Sequence, residues 1–471
     1  MYRRAARTLA ARPEHRPPAR AHPAAKSPEE GHPLNPVSAA TGLEYANLSD
    51  AEFEAFALKH PQNSFLQSTD FARFQRDRGQ QVELFGVRRN GELVAAGKLN
   101  YTTTRLGYTV CECAKGPLMD YTDRNLVGDV VGLLRRHAAG RKAAELRISP
   151  NVRYIARDAD GAEHPETEDN RPLVADLERL GFRHQGLDMN FVNVNWMFIK
   201  NLVGIQDAEE LIMSTSYRTR KAIRKAEKNG VFLEQATLET LDDFYGTLSR
   251  AGDEKGFVYR ERAYYEHLLR TTSAEFTKLM MAKIDIPAYR KSITERLAAE
   301  SATAADLRRE VEETGSKKKA NRLKVVQDLV DSYERSLKDI ERFPDSVGTA
   351  TVAAIHFVCY GDEVVCVIGG TVQDYIYFNG ATSLYWGMML HALEKGYPRY
   401  NFYGTFGISG QDEEGHGGYE FKKGFGGEVV QLLGDFVLPV RPAVFHANRL
   451  ARSAAAAART LLGKLPLKRA A

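Results

Sequence analysis

The sequence has little of the features that define several large classes of protein. It has no apolar run near the roughly 18 residues of a membrane-spanning helix, and its mean hydropathy is −0.40. Its 65 basic residues are nearly matched by 61 acidic residues, which leaves a formal net charge of +4. Four cysteines in 471 residues are too few for a secreted disulfide framework. We therefore expect no integral membrane protein, and the total charge does not indicate a nucleic-acid binder.

The usual motifs of metal, nucleotide and nucleophilic chemistry are also missing. There is no Walker A loop, no G-x-G-x-x-G after a strand, no H-E-x-x-H and no G-x-S-x-G elbow, and the 12 histidines have no ligand spacing. Cys111 and Cys113 lie two residues apart in an alternating strand, so they share one face. We expect them to pack in the core of a cytoplasmic protein and predict no metal site.

The N-terminal residues 1–42 are basic and rich in Arg, Ala and Pro. Prolines at 13, 17, 18 and 23 disfavour a stable helix, so we predict a disordered extension. A mitochondrial transit peptide and a start codon placed too early are the alternatives, and no apolar stretch suggests a secretory signal.

The C-terminal segment is also basic, but unlike the N-terminal one it favours a helix. Seven Lys and Arg residues lie between 441 and 469 with no acid among them, and 451–462 has strong helix propensity. A basic helix with a basic tail at 456–471 fits peripheral contact with an anionic membrane surface. A helix docked on the protein, with a frayed tail, fits the same residues equally well.

Two parts of the chain have the same order of predicted elements. Asn90-Gly91 and Gly361-Asp362 each connect two β-rich runs, which is a hairpin signal. A third β-rich run follows each hairpin, at 108–113 and at 375–378, and then a helix and a strand. The helices span 127–139 and 385–395, and the strands span 144–148 and 400–403. This repeat predicts an α/β (α+β) protein with two domains of one kind, each a mixed sheet carrying helices.

A long polar segment at 286–342 separates the two halves. Its apolar residues recur every three or four positions, and Gly315 interrupts it near the middle. We predict an antiparallel coiled-coil hairpin that protrudes from the second domain, and a single solvated helix is the alternative.

The segment 214–230 is the most basic part of the interior. Its helical pattern ends at Asn229-Gly230, and its cations greatly outnumber its one acid, Glu227. The cations are Arg218, Arg220, Lys221, Arg224, Lys225 and Lys228. Because such closely spaced like charges repel one another, we infer an anionic partner, and a simply solvated face is the alternative.

Glycines and aromatic residues alternate in two segments near the end of the second half, 401–410 and 417–427. Glycine lets the backbone approach a ligand closely, and Lys422 and Lys423 lie among the aromatic residues. The pattern favours a site for an anionic or acyl substrate. A glycine-rich turn with solvated lysines is the alternative.

Four short segments form an ordered set along the chain. They are Phe65-Leu-Gln-Ser-Thr-Asp-Phe-Ala, Lys115-Gly-Pro-Leu-Met-Asp, Arg224-Lys-Ala-Glu-Lys-Asn-Gly-Val and Tyr419-Glu-Phe-Lys-Lys-Gly-Phe-Gly-Gly. This set resembles the Fem family of peptidoglycan-bridge aminoacyltransferases, from about residue 45 to residue 440. The resemblance implies two acetyltransferase-like (GNAT-type) domains in tandem. On that basis the first domain comprises 43–196 plus 432–455, and the second comprises 197–431 with the arm 286–342 inserted.

The resemblance also implies a reaction. Fem enzymes transfer an amino acid from aminoacyl-tRNA to a UDP-linked or lipid-linked muropeptide, with no metal, acetyl-CoA or other cofactor. Lys422, in the Phe-Lys-x-x-Phe pattern, resembles the lysine that stabilises the oxyanion of the tetrahedral intermediate. We expect Tyr419 and Phe421 of the same motif to contact substrate. We also expect Arg218, Arg220, Lys221, Arg224 and Lys225 to bind the tRNA.

The acceptor site inferred from the resemblance has two departures. Arg260 resembles an arginine that binds the acceptor's phosphates, and Tyr377 resembles a tyrosine of the acceptor cleft. Where some relatives have a second phosphate-binding lysine, this chain has Gln75, with Arg73 and Arg76 close by. Where some have an aspartate after Leu-Arg-x, it has Ser149. These differences favour a different acceptor.

Several alternatives stay open from the sequence. An acyl-CoA-dependent N-acyltransferase would use a Gln/Arg-x-x-Gly-x-Gly/Ala turn, and no clean copy of it occurs. A non-catalytic binding protein could share the fold. We expect a cytoplasmic protein, at the inner face of the plasma membrane if the C-terminal tail binds lipid, acting as a monomer or paired with a relative.

Overall fold

The computed structural model describes residues 42–187, 194–405 and 415–462, except for the side chains of 345, 452 and 454–462. The elements of the first range are β1 (Leu43–Asn47), α1 (Asp50–Ala57), a 3-10 turn (Phe65–Gln67), α2 (Thr69–Asp77), β2 (Gln81–Arg89), β3 (Glu92–Thr103), β4 (Thr109–Ala114), β5 (Leu118–Met119), α3 (Arg124–Gly140), β6 (Ala143–Ser149), β7 (Arg153–Ile155), α4 (Arg171–Arg179) and β8 (Arg183–His184).

The elements of the second range are β9 (Trp196–Asn201), α5 (Ala208–Met213), α6 (Tyr217–Lys228), β10 (Phe232–Gln235), α7 (Leu241–Lys255), α8 (Arg262–Thr271), β11 (Thr277–Asp285), α9 (Ile286–Thr314), α10 (Lys317–Ile340), a 3-10 turn (Asp345–Val347), β12 (Thr349–Tyr360), β13 (Glu363–Thr371), a 3-10 helix (Gln373–Phe378), α11 (Gly380–Glu394) and β14 (Arg399–Gly404). The third range contains α12 (His416–Lys423), β15 (Glu428–Leu432), β16 (Phe436–Pro439) and α13 (Pro442–Leu462).

The strands form two mixed sheets, each with its own apolar core. The first sheet has the order β1-β2-β3-β4-β6-β16-β8, with β5 beside β3, and the second has β10-β11-β12-β13-β14-β9-β15-β7. The parallel pair of the first sheet is β4–β6, and that of the second is β13–β14. Two strands cross between the halves, because the late strand β16 pairs with β6 and the early strand β7 pairs with β15.

Both predicted hairpins are present. Asn90 and Gly91 have φ angles of +53° and +88°, and positive values at both positions are what a type I′ turn requires. The turn joins β2 to β3, and Gly361-Asp362 joins β12 to β13.

The two hairpins are not equivalent, which corrects the repeat as predicted. In sheet order β13 is the strand beside the parallel partner, as β4 is, so the β12–β13 hairpin corresponds to β3–β4. The counterpart of the Asn90-Gly91 turn is therefore the connection between β11 and β12, where the arm is inserted. The predicted β-rich run at 375–378 is wrong as well, since these residues lie in the 3-10 helix Gln373–Phe378. The last strand before helix α11 is β13.

The inserted segment forms a helical hairpin of α9 and α10. Gly315, in the left-handed region at φ +61°, ends α9, and the side chain of Ser316 caps α10. Near the base, Ile293 and Tyr333 join the core of the second sheet. Farther out, Ala304, Leu307 and Val326 form a separate apolar cluster with Leu323.

All four cysteines are buried thiols. Cys111 and Cys113 lie fully buried in the first core, as their alternation predicts, and burial raises the pKa of Cys113 to about 12. Cys359 and Cys366 lie in the core of the second sheet.

Helix α13 contains the predicted helical segment 451–462 and begins earlier, at Pro442. Phe445 and Asn448 are buried, and the guanidinium of Arg183 lies 5.3 Å from the Phe445 ring, so this helix docks on the protein at its start. Leu450, which follows shortly after, is 72% exposed.

None of the described helices is both long and apolar enough to cross a membrane. The predicted extension at 1–41 and the last part of the tail, 463–471, lie outside the described residues.

Candidate active site

Lys422 lies in the last turn of the short helix α12. Its side chain is half-buried, and its Nζ donates hydrogen bonds to the carbonyl oxygens of Tyr403, at 3.4 Å, and Gly404. Burial lowers the pKa of Lys422 to about 8, and the nearby Cys366 thiol works slightly against this. The ammonium is thus held at the end of β14, where the chain leaves the sheet.

The end of β14 is irregular, and that irregularity turns its carbonyl groups toward Lys422. The pairing of β14 with β9 shifts register between Asn401 and Gly404. Tyr403 has a φ of +58°, which is uncommon for a residue with a side chain. The glycine-rich segment that follows was part of the predicted site, and its residues 406–410 lie outside the described ranges.

Aromatic side chains surround α12 on its inner face. The Phe421 ring lies 5.2 Å from Tyr385 and 5.3 Å from Phe425, measured between centroids. Tyr419 is 4% exposed, and its hydroxyl donates to the carbonyl of Ala159 at 2.5 Å. In the described structure Tyr419 therefore connects α12 to a loop of the first half, while Phe421 packs against the second core.

The basic helix α6 begins beside α12. The backbone N–H of Ser216 donates to the carbonyl of Gly424 at 2.8 Å, two residues after Lys422. The Ser216 hydroxyl accepts from the N–H of Thr219 at 3.2 Å and so caps α6. A buried lysine, Lys200, braces the same junction by donating to Phe425 O at 2.9 Å and to Ser214 Oγ at 2.8 Å.

The cations of α6 have different surroundings. Four are exposed and form no hydrogen bond or ion pair with the described residues, namely Arg218, Lys221, Arg224 and Lys225. Arg220 instead donates to the carbonyls of Met213, at 2.9 Å, and Thr215, at 3.2 Å. Lys228 donates to the hydroxyl of Tyr333 on α10 at 2.8 Å. The exposed four form a continuous positive face, whereas Arg220 and Lys228 connect α6 to its neighbours.

Helices α2 and α8 bring the two halves together around Tyr264. The ring of Tyr264 packs on Phe74 of α2, with 5.1 Å between centroids. The exposed Arg260 lies 5.7 Å above the Tyr264 ring, and Arg78, at the end of α2, lies 5.5 Å from it. Two guanidinium groups therefore meet at one aromatic ring between the halves.

The other predicted residues of α2 have separate partners. Arg73 is exposed and pairs with Asp70 at 3.4 Å, and Arg76 pairs with Asp50 at 2.9 Å. Gln75 accepts a 2.5 Å hydrogen bond from the Nζ of Lys98, a buried lysine of β3 whose pKa burial lowers to about 8. Sequence reasoning missed Lys98 and Arg78. The signals were a lysine inside an apolar strand and a third arginine at the end of the same helix.

Tyr377 lies at the base of the arm. Its ring lies against that of Phe378 in a tilted arrangement, with 4.0 Å between centroids. Its buried hydroxyl has no hydrogen-bond partner in the described part of the chain. Burial raises the pKa of Tyr377, and no described contact joins it to Lys422. A buried hydroxyl without a partner is available to donate a hydrogen bond to a ligand or to accept one from it.

The segments that begin at Phe65 and Lys115 meet where the two halves join. Gln67 is fully buried and donates to the carbonyl of Ala114 at 2.6 Å. The Phe65 ring lies 6.1 Å from Tyr403, and the backbone N–H of Lys115 donates to Ser149 Oγ at 2.9 Å. Ser149 thus fixes the backbone of Lys115. Across the described residues, no group of three His, Cys, Asp or Glu side chains is placed to hold a metal ion.

Comparison with known proteins gives a consistent result. A sequence model of the FemAB family matches residues 48–453. Aminoacyltransferase FemA of Staphylococcus aureus strain MRSA252 is 26% identical over 410 residues, which cover 86% of this chain and 97% of FemA. FemA of the bovine strain RF122 / ET3-1 matches over the same share of both chains. The crystal structure of FemX is similar with a TM-score of 0.68 at 22% identity, over 86% of this chain and 99% of FemX. The predicted fold class, with tandem acetyltransferase-like domains, is confirmed.

Proposed function

This chain belongs to the FemAB family and is an aminoacyltransferase, and from that premise we propose that it transfers an amino acid from aminoacyl-tRNA to the stem peptide or bridge of a peptidoglycan precursor. The acceptor is a UDP-linked or lipid-linked muropeptide. The observation that supports this proposal most directly is the placement of Lys422. Its ammonium is held at the end of β14, and the helix that carries it is bonded at its end to the start of an exposed basic helix.

The proposed reaction is aminolysis of an ester. The neutral amine of the acceptor attacks the carbonyl carbon of the aminoacyl ester, and a tetrahedral intermediate forms with negative charge on the former carbonyl oxygen. The bond to the ribose oxygen of the tRNA then breaks, and the proton lost by the amine ends on that ribose hydroxyl. The amide product forms without a covalent enzyme intermediate, so no nucleophilic residue is required.

Lys422 supplies the charge that this intermediate needs. Removed from water, an ammonium interacts more strongly with a developing oxyanion than it would in bulk solvent. A pKa of about 8 keeps most of the side chain protonated at neutral pH. Because the oxyanion carries more charge than the ester carbonyl, the interaction favours the transition state over the bound substrate.

The donor tRNA would contact the positive face of α6. Four of its cations are exposed and have no ion-pair partner among the described residues, so they can contact phosphate: Arg218, Lys221, Arg224 and Lys225. The helix is capped by Ser216, which bonds Gly424. A nucleic acid bound along this face would therefore have one end close to Lys422. Arg220, also expected to contact tRNA, would act mainly by fixing the start of the helix. The arm, joined to α6 through Lys228 and Tyr333, extends this surface.

The phosphate-bearing acceptor would enter between the two halves. Arg260 and Arg78 present two guanidinium groups at Tyr264, and guanidinium binds phosphate through paired hydrogen bonds. The exposed Arg73 lies on the same helix as Arg78. Gln75 would act indirectly, by holding Lys98, and Arg76 is already paired with Asp50. Tyr377 would offer its unpaired hydroxyl to the peptide part of the acceptor.

These substrates place the enzyme in the cytoplasm, at the inner face of the plasma membrane when the acceptor is lipid-linked. The exposed Leu450 on the basic helix α13 is suited to such a contact.

Reconstitution would test the proposal. The purified chain would be incubated with tRNA charged with labelled Gly, Ala, Ser or Thr, and with UDP-linked or lipid-linked pentapeptide. We expect one of these pairs to give a labelled muropeptide whose mass increases by one residue. The same mixture with acetyl-CoA in place of charged tRNA is the control. Transfer from acetyl-CoA alone, or no transfer with any donor, would contradict the proposal.

A further inference from the structure

A chain of buried polar contacts leads from the junction of the two halves to Lys422. It starts at Glu363, the first residue of β13, and passes through Asn401 of β14 to the backbone of Tyr403. Glu363 is 7% exposed and Asn401 is 2% exposed. Burial of a polar group costs free energy unless the group is hydrogen-bonded, so these side chains are held in the orientations that form their hydrogen bonds.

Asn401 holds the irregular end of β14 in place. Its Oδ1 accepts the backbone N–H of Tyr403 at 2.8 Å, across the register shift of the strand. This bond replaces the ladder bond that a regular strand would supply, and Tyr403 is left with its φ of +58°. The carbonyl groups of Tyr403 and Gly404, which accept from Lys422, belong to the same turn of backbone.

Glu363 determines which way the Asn401 amide faces. The Nδ2 of Asn401 donates to Glu363 Oε2 at 3.0 Å, so the amide oxygen is left to accept from Tyr403. A flipped amide would set its oxygen against the carboxyl group and its NH₂ against a backbone N–H, and would lose both bonds. Burial raises the pKa of Glu363, and the cations Arg399 and Lys115 work in the opposite direction.

Lys115 approaches the same group from the first half. Lys115 is buried, and its Nζ donates to the carbonyl of Val194. Burial lowers the pKa of Lys115 to about 8, and the nearby acids Asp435 and Glu363 oppose that fall. Lys115 therefore lies within electrostatic range of Glu363, and Asn401 connects Glu363 to the end of β14 that accepts from Lys422.

We propose that Asn401 and Glu363 are positioning residues, which hold the carbonyl groups of Tyr403 and Gly404 against the ammonium of Lys422 and so fix its place in the active site. The inference rests on the proposed role of Lys422. It goes beyond the family motif, because neither residue belongs to the segment that contains Lys422.

Three substitutions separate positioning from simple stabilisation. Asn401→Ala removes the hydrogen bonds to Glu363 and to Tyr403, together with a weaker one to the Met197 sulfur. We expect kcat for aminoacyl transfer to fall about 10- to 100-fold with KM for either substrate little changed, since small displacements of a catalytic group have effects of this size. Glu363→Gln keeps an oxygen that can accept from Asn401 and should stay within about threefold of the unaltered enzyme. Glu363→Leu cannot accept and should behave like Asn401→Ala.

The pKa of Lys422 gives a readout that does not depend on turnover. Competitive acetylation of the protein with trace reagent over a range of pH, followed by mass spectrometry of the peptide, would measure it. Loss of the two carbonyl acceptors makes the ammonium less favourable, so the pKa of Lys422 should fall in Asn401→Ala and Glu363→Leu and stay in place in Glu363→Gln. The groups that face Lys422, Cys366 of β13 and beyond it Tyr385 of α11, have raised pKa values and do not titrate near 8.

Asn448→Ala is the matched control. Asn448 is also a buried asparagine, on α13, away from Lys422. Its loss should leave kcat and the pKa of Lys422 unchanged. An unchanged Lys422 pKa in folded Asn401→Ala, or equal losses in Glu363→Gln and Glu363→Leu, would overturn the inference. Failure of the unaltered protein to transfer any amino acid would refute the proposed function alone, because the Lys422 pKa remains measurable.

Discussion

The backbone N–H of Ser216 donates a 2.8 Å hydrogen bond to the carbonyl of Gly424. The two residues are far apart in sequence, yet this bond fixes the first turn of the basic helix α6 next to the helix that carries Lys422. A surface suited to phosphate and the helix that carries the half-buried Lys422 are thereby held next to each other. Each of these two parts, and the acceptor side, can be tested by substitution.

Replacement of Lys422 should remove most turnover. In Lys422→Met the side chain keeps much of its volume but cannot stabilise an oxyanion, so we expect kcat to fall about 100- to 1000-fold, the usual effect of losing one such donor. Binding of the UDP-linked acceptor, measured by calorimetry, should be unchanged. Lys423→Met is the neighbouring control, because Lys423 pairs with Asp160 and does not reach the β14 carbonyls. A protein that only binds its ligands would show no difference between the two variants.

The rate of transfer should fall as pH rises through about 8. The catalytic form of Lys422 is the ammonium, and burial lowers the pKa of this group to about 8, so the active form is complete below that pH and is lost above it. The pH profile of kcat/KM, which reports the groups of the free enzyme, should show this alkaline limb for the unaltered protein. A guanidinium stays charged, so any residual activity of Lys422→Arg should lack the limb. The same limb in both proteins would show that another group titrates.

Removal of the exposed charges of α6 should weaken tRNA binding without unfolding the protein. Changing Arg218, Lys221 and Arg224 together to Gln should reduce the steepness of log K against log salt by about 0.7 to 0.9 for each phosphate that the helix no longer neutralises. Arg220→Gln should differ, because Arg220 satisfies two backbone carbonyls, and its loss should lower the melting temperature more than the slope. Filter binding at several salt concentrations and thermal unfolding would separate these effects. A slope that survives the triple change would place the tRNA elsewhere.

Arg260 should bind the acceptor's phosphates. Arg260→Ala should raise KM for the UDP-linked muropeptide about tenfold or more, with KM for the aminoacyl-tRNA unchanged, because a lost charge-assisted hydrogen bond is worth about 1.5–3 kcal/mol. Arg78→Ala should act in the same direction, since both guanidinium groups lie at the Tyr264 ring. Arg262→Ala is the control, because Arg262 is already engaged with Asp242 and Glu266. A rise in KM for the tRNA instead would contradict this assignment.

Local features of the site were predictable, whereas the partners of its residues were not. The helical pattern, the run of cations and the Asn-Gly stop predict α6, and the glycine-rich motif indicates Lys422. Nothing near Arg220 in the sequence shows that its guanidinium closes the end of α5, or that four other cations stay free of partners among the described residues. In the sequence Asn401 is only the first residue of a glycine-rich segment. Its role could not be predicted, because the sheet brings its partners Glu363 and the backbone of Tyr403 to it.

The sequence by itself determined the elements that depend on neighbours along the chain. Turn residues determined the hairpins, and spacings of three and four determined the helices of the arm, because backbone conformation and the apolar face follow local periodicity. The family resemblance assigns 432–455 to the first domain, but only the tertiary structure decided that β16 lies between β6 and β8. It alone also decided that β7 joins the other sheet and that the two halves correspond with an offset of one strand. Strand order depends on which apolar faces and edges meet after collapse, and those contacts join residues too distant for any local pattern to specify.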